Sequence, residues 1–482
     1  MKKYIVGSVV GLLLLQGCSK YEQINNNPNQ PAAVRSDLLL NNIMYTAFAE
    51  DGDIANSTGS YSTFVGGDMG GCWAQHLSKV QYNDEERYSP RVGVVQDFWE
   101  TYYEDICNDS KKMADLAAAE NNKAVQGVAK VLLAYGFSVL TDCYGDIPFT
   151  EALQSGNQIF KPKYDSQEEV YNGIIALLDE ANTLLTSGEG TIPATSDKMY
   201  GGDVTKWAKF ANSLKFRSLM RISAKKNVSA ELTDIVNNRQ IFTSNSDEAK
   251  FVFGSAQPAA NPFYETVVFS SRAEWKVNSV LVDLLNSYSD PRLPVYAQKA
   301  SDGTYRGKPS GYRDLPSAAY GYANISAIGT KYLQPSAPGY FMSYAELCFL
   351  LAEARQKGLI STGTASQYYE EGITASFAEN GVSSSLAAYL AQPNVILSAG
   401  TELKQINEQK WLALFGQGVE AWIEWKRTKI PALTPAVDAA ISEIPSRYQY
   451  PTTEQSLNKA NYDAAISRQG ADLLQTKLWW ME

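Results

Sequence analysis

The chain has 482 residues, 44% apolar and 20% charged, with a formal net charge of −10. A chain of that length buries a large core, and length alone suggests two or three domains. The acidic balance argues against nucleic acid or an anionic membrane surface as the main partner. Tyrosine is unusually frequent, with 29 residues beside nine Trp. Amphipathic rings in such number fill cores or face sugars.

Lys2 and Lys3 followed by an apolar run from Ile5 to Leu15 form a segment too short to span a bilayer, and Leu15-Gln16-Gly17-Cys18 matches a bacterial lipobox. Residues 1–17 therefore read as a lipoprotein signal peptide, Cys18 as the lipidated first residue of the mature chain, and residues 18–35 as a polar, proline-bounded tether. No second apolar run reads as long enough for a transmembrane helix, so the lipid is the expected anchor. Cys72, Cys107, Cys143 and Cys348 are widely spaced and form no CxxC or zinc pattern; packing is their expected role, and no metal or cofactor is expected.

A short amphipathic helix is predicted over Ser36–Phe48. From Asp51 to Pro90 periodicity disappears, and glycines alternate with Trp73, His76, Tyr82 and Tyr88; so long a loop is usually functional or disordered, and its aromatics argue against disorder. Helical texture resumes at Val94 and breaks at Asn121-Asn122, and the pair ends in Tyr144-Gly145-Asp146-Ile147-Pro148. Ser166 with Glu169, and Thr364 with Gln367, have capping-box spacing; Asp203 and Ser343 are further N-caps. Helical pairs are expected at about 94–140, 166–224, 344–380 and 402–429, separated by loop-rich insertions at about 51–92 and 227–341. In the second insertion Phe251-Val252-Phe253 and Thr266–Phe269 read as short strands, Val277–Leu285 as a helix, and a tyrosine-rich tract runs from Tyr305 to Tyr332.

The C-terminal part holds the densest pattern. Trp411, Leu414, Phe415, Val419 and Trp422 recur at helical spacing, interrupted by Gly416 and Gly418, which imply a join between two helices or a close helix crossing. Ile444 to Pro451 then follows an extended path, and Thr452 with Gln455 has the spacing of one more capping box. Together with Tyr144-Gly-Asp-Ile-Pro and Ser289-Asp290-Pro291-Arg292, the run through Arg447-Tyr-Gln-Tyr-Pro-Thr-Thr-Glu-Gln resembles the SusD/RagB nutrient-binding outer-membrane lipoproteins. The resemblance implies a mainly α fold: a TPR-like array of four helical hairpins, residues 36–482 forming one domain whose loop-rich insertions carry short strands and the ligand site. It also implies a non-catalytic, outer-membrane, lipid-anchored protein facing the cell exterior, which captures a glycan and delivers it to a SusC-like TonB-dependent transporter. The alternatives are the same architecture binding peptides, a protein-binding adaptor, or a lipid-anchored glycan hydrolase.

For catalysis the residues offer little. His76 is the only histidine, no Gly-x-Ser-x-Gly elbow accompanies it, and the glycine-rich run Val65–Gly71 lacks the Lys-Ser/Thr of a phosphate-binding loop. Glu420 and Glu424, one turn apart, read as solvated helical neighbours with Arg427 as an ordinary ion-pair partner. Asp51-Gly52-Asp53 and Asp302-Gly303 lack calcium-loop spacing. For binding, rings interleaved with amides and guanidinium groups suit sugars, which offer C–H faces and hydroxyls. The candidate ligand residues are Trp73, Gln75, His76, Tyr82, Asn83 and Tyr88 in the first insertion and Tyr312, Arg313, Tyr320 and Tyr322 in the second. On this reading Trp73→Ala weakens binding at unchanged stability, and Cys18→Ala abolishes membrane association.

Overall fold

The computed structural model describes residues 34–49, 61–314 and 317–481. Cys18, the signal and nearly all of the tether, and the Asp51-Gly52-Asp53 run lie outside these residues. The N-terminal helix opens as a 3-10 turn at Ser36–Leu39 and continues as α1 (Leu40–Ala49).

The first expected pair is α2 (Val92–Thr101), continuous through a π-helical stretch with α3 (Asp109–Ala119), packed against α4 (Lys123–Tyr144). The break falls where the sequence puts it: Asn121 is left-handed (φ 56°), and the Asn122 side chain accepts from Val125 N at 3.2 Å to cap α4. By length and composition α4 would cross a membrane, contrary to the reading that no second such run exists. Yet 83% of its apolar window is buried inside the protein, which makes it the central helix of the core.

α5 (Gln167–Leu185) starts with the predicted box: Ser166 Oγ accepts from Glu169 N at 3.3 Å, and Glu169 Oε2 accepts from Ser166 N at 2.9 Å. α6 (Val204–Ile222) is capped by Asp203, and α7 (Ser229–Asn238) opens the second insertion. α8 (Ser279–Ser287) begins two residues later than predicted because Asn278 caps it, accepting from Val280 N at 2.9 Å. α9 (Tyr344–Gln356) and α10 (Ala365–Glu379) form the third pair, the latter with its predicted Thr364–Gln367 box.

The last pair, α11 (Glu402–Ala413) and α12 (Gly418–Thr428), is not a close hairpin. α11 packs on α9, while α12 packs on the π-helical segment Tyr61–Gly71. Both readings of the glycines hold. Gly416, at φ 86°, makes the join, and Gly418 permits the crossing: a Cβ on Gly418 would stand 2.0 Å from the Gly66 carbonyl oxygen. The glycine-rich run is thus a helix-crossing surface, not an open loop.

Among the described residues six short strands form three two-stranded antiparallel ladders: β1 (Leu77–Lys79) with β5 (Trp275–Val277), β2 (Ile147–Pro148) with β3 (Tyr164–Asp165), and β4 (Ala249–Phe251) with β6 (Gly339–Met342). Phe251 closes β4, but Thr266–Phe269 is helical, not a strand. Asn261 accepts from Phe263 N at 2.8 Å ahead of Pro262, a cap-plus-proline start that outweighs the β-branched run. The Thr452–Gln455 box does not form either. Thr452 is already inside its helix, and Gln455 Nε2 donates to the Tyr450 carbonyl at 3.2 Å.

Ion pairs tie the pairs together. Arg221 of α6, 2% exposed, reaches Glu420 Oε1 at 2.6 Å, Glu424, and Asp142 Oδ2 at 3.3 Å. Glu424 also meets Lys410 at 2.6 Å and Arg427 at 2.8 Å. Burial pushes the Glu424 carboxyl up, but Arg427, Lys410 and Arg221 together hold it well below the usual carboxylate range. Glu420 and Glu424 are therefore interior braces, not the solvated pair the spacing suggested. The four cysteines are buried and free.

Candidate functional site

β5 joins the two insertions. Its Lys79↔Trp275 register fastens β1 to it, and the buried Asp68 carboxylate accepts from Trp275 Nε1 at 2.7 Å while pairing with Lys79 at 2.9 Å and Arg91 at 3.2 Å. Burial lifts Asp68 to about 6, partly offset by Lys79. Buried Glu86 staples the second insertion to the same edge, accepting from Ser78 Oγ at 2.7 Å, Lys79 N at 3.0 Å and Gly311 N at 2.9 Å.

On this frame most of the first candidate cluster faces inward. Trp73 is 0% exposed; its indole N–H donates to the Glu85 carbonyl at 2.8 Å, and its ring lies edge-on to Trp422 at 5.0 Å. Buried Gln75 donates to the Thr434 carbonyl. His76 is buried against Trp411, ring centroids 4.2 Å apart. The buried Tyr88 hydroxyl accepts from Ala436 N at 2.8 Å. Asn83 Nδ2 donates to the Tyr312 carbonyl at 2.6 Å, tying the insertions together. The reading of these five as ligand-facing is corrected for Trp73, Gln75 and Tyr88, whose polar groups and rings are used up in holding the chain. Asn83 acts as a tether, and His76 faces the interior.

Tyr82 and Tyr322 differ. Among the described residues four aromatic side chains stand in solvent, Tyr82, Phe160, Phe269 and Tyr322, and Tyr82 and Tyr322 lie against the β5 segment. Tyr82 is held at φ 50° with the Arg272 guanidinium 5.7 Å from its ring centre. Tyr322 donates to the Ala273 carbonyl at 3.0 Å, and Lys276 Nζ lies 3.8 Å from its ring centre. Burial draws the Lys276 amine below its ordinary value. Phe269 ends the helical turn that leads into β5. Arg313 is exposed and its backbone N–H bonds Asp438 Oδ2 at 2.8 Å, while Tyr312 and Tyr320 are half-buried. Arg272, Glu274 and Lys276 went unnoticed in the sequence; their period-2 alternation with Ala273, Trp275 and Val277 was the available signal.

A family model described as "SusD-like_2: Starch-binding associating with outer membrane" matches residues 28–451. The chain belongs to this SusD-like family. Among solved structures, a chitin-binding protein is 26% identical with a TM-score of 0.82, covering 93% of this chain and 100% of its own. A SusD homolog from Bacteroides uniformis is 25% identical at TM-score 0.83 (93% and 99%), and a chitin-binding SusD homolog from Flavobacterium johnsoniae 25% identical at 0.79 (91% and 97%). No curated protein matches the chain by sequence. The SusD-like fold accounts for the helical, TPR-like architecture, and the buried sequence signatures are its joints. Arg292 pairs with Asp290 at 2.6 Å and bonds Gln409 at 2.7 Å, and Asp146 accepts from Gln167 N at 2.8 Å and Arg468 Nε at 2.6 Å.

Proposed function

We propose that this SusD-like protein captures a glycan at the surface bordered by Tyr82 and Tyr322, and passes it to a SusC-like TonB-dependent transporter without chemical change. The observation that carries the reading is that two exposed aromatics are held beside one strand, Tyr82 against Arg272 and Tyr322 against Lys276 and the Ala273 carbonyl. Rings accept the C–H faces of sugars, and fixed polar groups select hydroxyls. The chitin-binding names of two relatives favour a glycan over a peptide. Engagement of Glu420 and Glu424 by Arg221 favours binding over hydrolysis. The proposed layout is a signal at residues 1–17, a Cys18 lipid anchor with a tether to residue 35, and one domain from 36 to 482, facing the cell exterior.

Calorimetry of the mature protein against starch and chitin oligosaccharides tests the reading. Tyr82→Ala and Tyr322→Ala should each weaken binding by about three- to tenfold, the worth of one aromatic contact, with unchanged thermal unfolding. Released sugar products, or affinity untouched by both changes, would count against it. Co-purification of a transporter from detergent-solubilised membranes, lost in Cys18→Ala, tests the partner and the anchor.

A further inference from the structure

Six lysines are buried among the described residues: Lys79, Lys215, Lys276, Lys308, Lys410 and Lys426. Taking an ammonium out of water is costly unless acceptors replace the water, so each should show its partner. Five of them do. Lys79 meets Asp68 at 2.9 Å, Lys215 meets Asp179 at 2.7 Å, Lys308 meets Glu86 at 3.4 Å, Lys410 meets Glu424 at 2.6 Å, and Lys426 donates to the Asp142 carbonyl at 2.6 Å.

Lys276 is the exception. It is 4% exposed, and among the described residues its ammonium has neither an ion pair nor a hydrogen bond. What it meets is the face of the exposed Tyr322 ring, 3.8 Å from Nζ to the ring centre. Its neighbours across the backbone, Ser78 of β1 and Ala327, are uncharged, and Arg272 and Glu274 cancel each other at 2.6 Å. Burial accordingly draws the amine below its ordinary value, with no nearby charge to offset it. Lys276 Nζ is not among the enclosed polar atoms that lack a partner, so it keeps a path to solvent beside Tyr322. A ring face meets one side of an ammonium, whereas its three N–H groups call for oxygen.

We infer that Lys276 is an oxyanion-binding residue: the molecule captured at the Tyr82–Tyr322 surface carries a carboxylate or a sulfate ester, one oxygen of which accepts from Lys276 Nζ. This rests on the reading of that surface as the place of capture, and it narrows the ligand from the neutral molecule that rings alone would accept to an acidic one. The net charge of −10 opposes such a ligand only at long range, where salt screens it, while the local balance at β5 is positive.

Calorimetry of the mature protein with matched probes tests the inference. Trigalacturonic acid is set against its methyl ester, and sulfated chitobiose against chitobiose, so the two pairs separate carboxylate from sulfate as the group recognised. In at least one pair the acidic member should bind about ten- to hundredfold more tightly, the worth of one hydrogen bond to a charged group. Lys276→Met should erase that preference without lowering the melting temperature, because it replaces an unpaired charge by an apolar chain, and Lys276→Arg should keep part of it. Without any variant, titration at alkaline pH in two buffers of different ionisation enthalpy should show proton uptake with the acidic member alone, since a bound anion raises the amine's pKa. Equal affinity within both pairs, no binding by either acidic probe, or a preference that survives in folded Lys276→Met overturns the inference. Equal affinities that fall in Tyr82→Ala would leave the surface reading standing while this one fails. A preference lost in Lys276→Met, with affinity untouched by Tyr82→Ala, would keep the anion site and count against the surface.

Discussion

The indole of Trp73 packs edge-on to Trp422 at 5.0 Å and to Tyr448 at 5.5 Å, with its N–H satisfied by a carbonyl, whereas Tyr82, nine residues on, is 66% exposed. Composition cannot separate two such rings; only their surroundings can. The expectation for Trp73→Ala accordingly reverses. Removing this buried indole should cost about 3–5 kcal/mol, read as a lowered urea midpoint, and affinity measured where the variant remains folded should be close to that of the parent. Normal stability with lost affinity would restore Trp73 to the ligand surface.

At the scale of elements, α12 carries the clearest pH signature. Lys426 lies 1% exposed on this helix, with its Nζ 3.7 Å from the Trp422 ring centre and donating to the Asp142 carbonyl at 2.6 Å. Burial lowers its pKa from 10.5 to about 7. Between those values the unfolded chain holds the extra proton, so this group favours folding fully above pH 10.5 and progressively less as pH falls to about 7. Lys426→Met should flatten that slope: relative to the parent, the variant gains stability as pH falls from about 10.5 to about 7. Parallel slopes in urea titrations at the two pH values would show that the lysine is not buried as described. Helix starts were the most legible elements, because Ser166, Asp203, Ser343 and Thr364 announce themselves by short-range hydrogen bonds that need no tertiary partner. The strand expected at Thr266–Phe269 fails for the same reason in reverse, since the local cap at Asn261 starts a helical turn there.

Across the whole molecule, Arg221 connects α4, α6 and α12 through Asp142, Glu420 and Glu424. Arg221→Leu removes the one cation shared by three carboxylates, of which Glu424 keeps Lys410 and Arg427, and should cost about 3–5 kcal/mol, measured by urea denaturation. A loss below about 1 kcal/mol would place the network in solvent. The same network ties the fourth helical pair to the second, which is how a chain whose hairpins are unevenly spaced still forms one core.

The sequence by itself determined the helical content, the pairing of most helices and the family, because periodicity, caps and the Tyr144–Pro148, Asp290–Arg292 and Arg447–Tyr450 signatures are local patterns. Only the tertiary structure decided which aromatics face solvent, that Glu420 and Glu424 brace the interior, and that β5 brings Tyr82 and Tyr322 to one face. The physical reason is that exposure and ion pairing depend on partners hundreds of residues away: Arg221 lies 199 residues from Glu420, and Trp275 lies 207 from Asp68. Nothing in the local chain records the distance that folding removes.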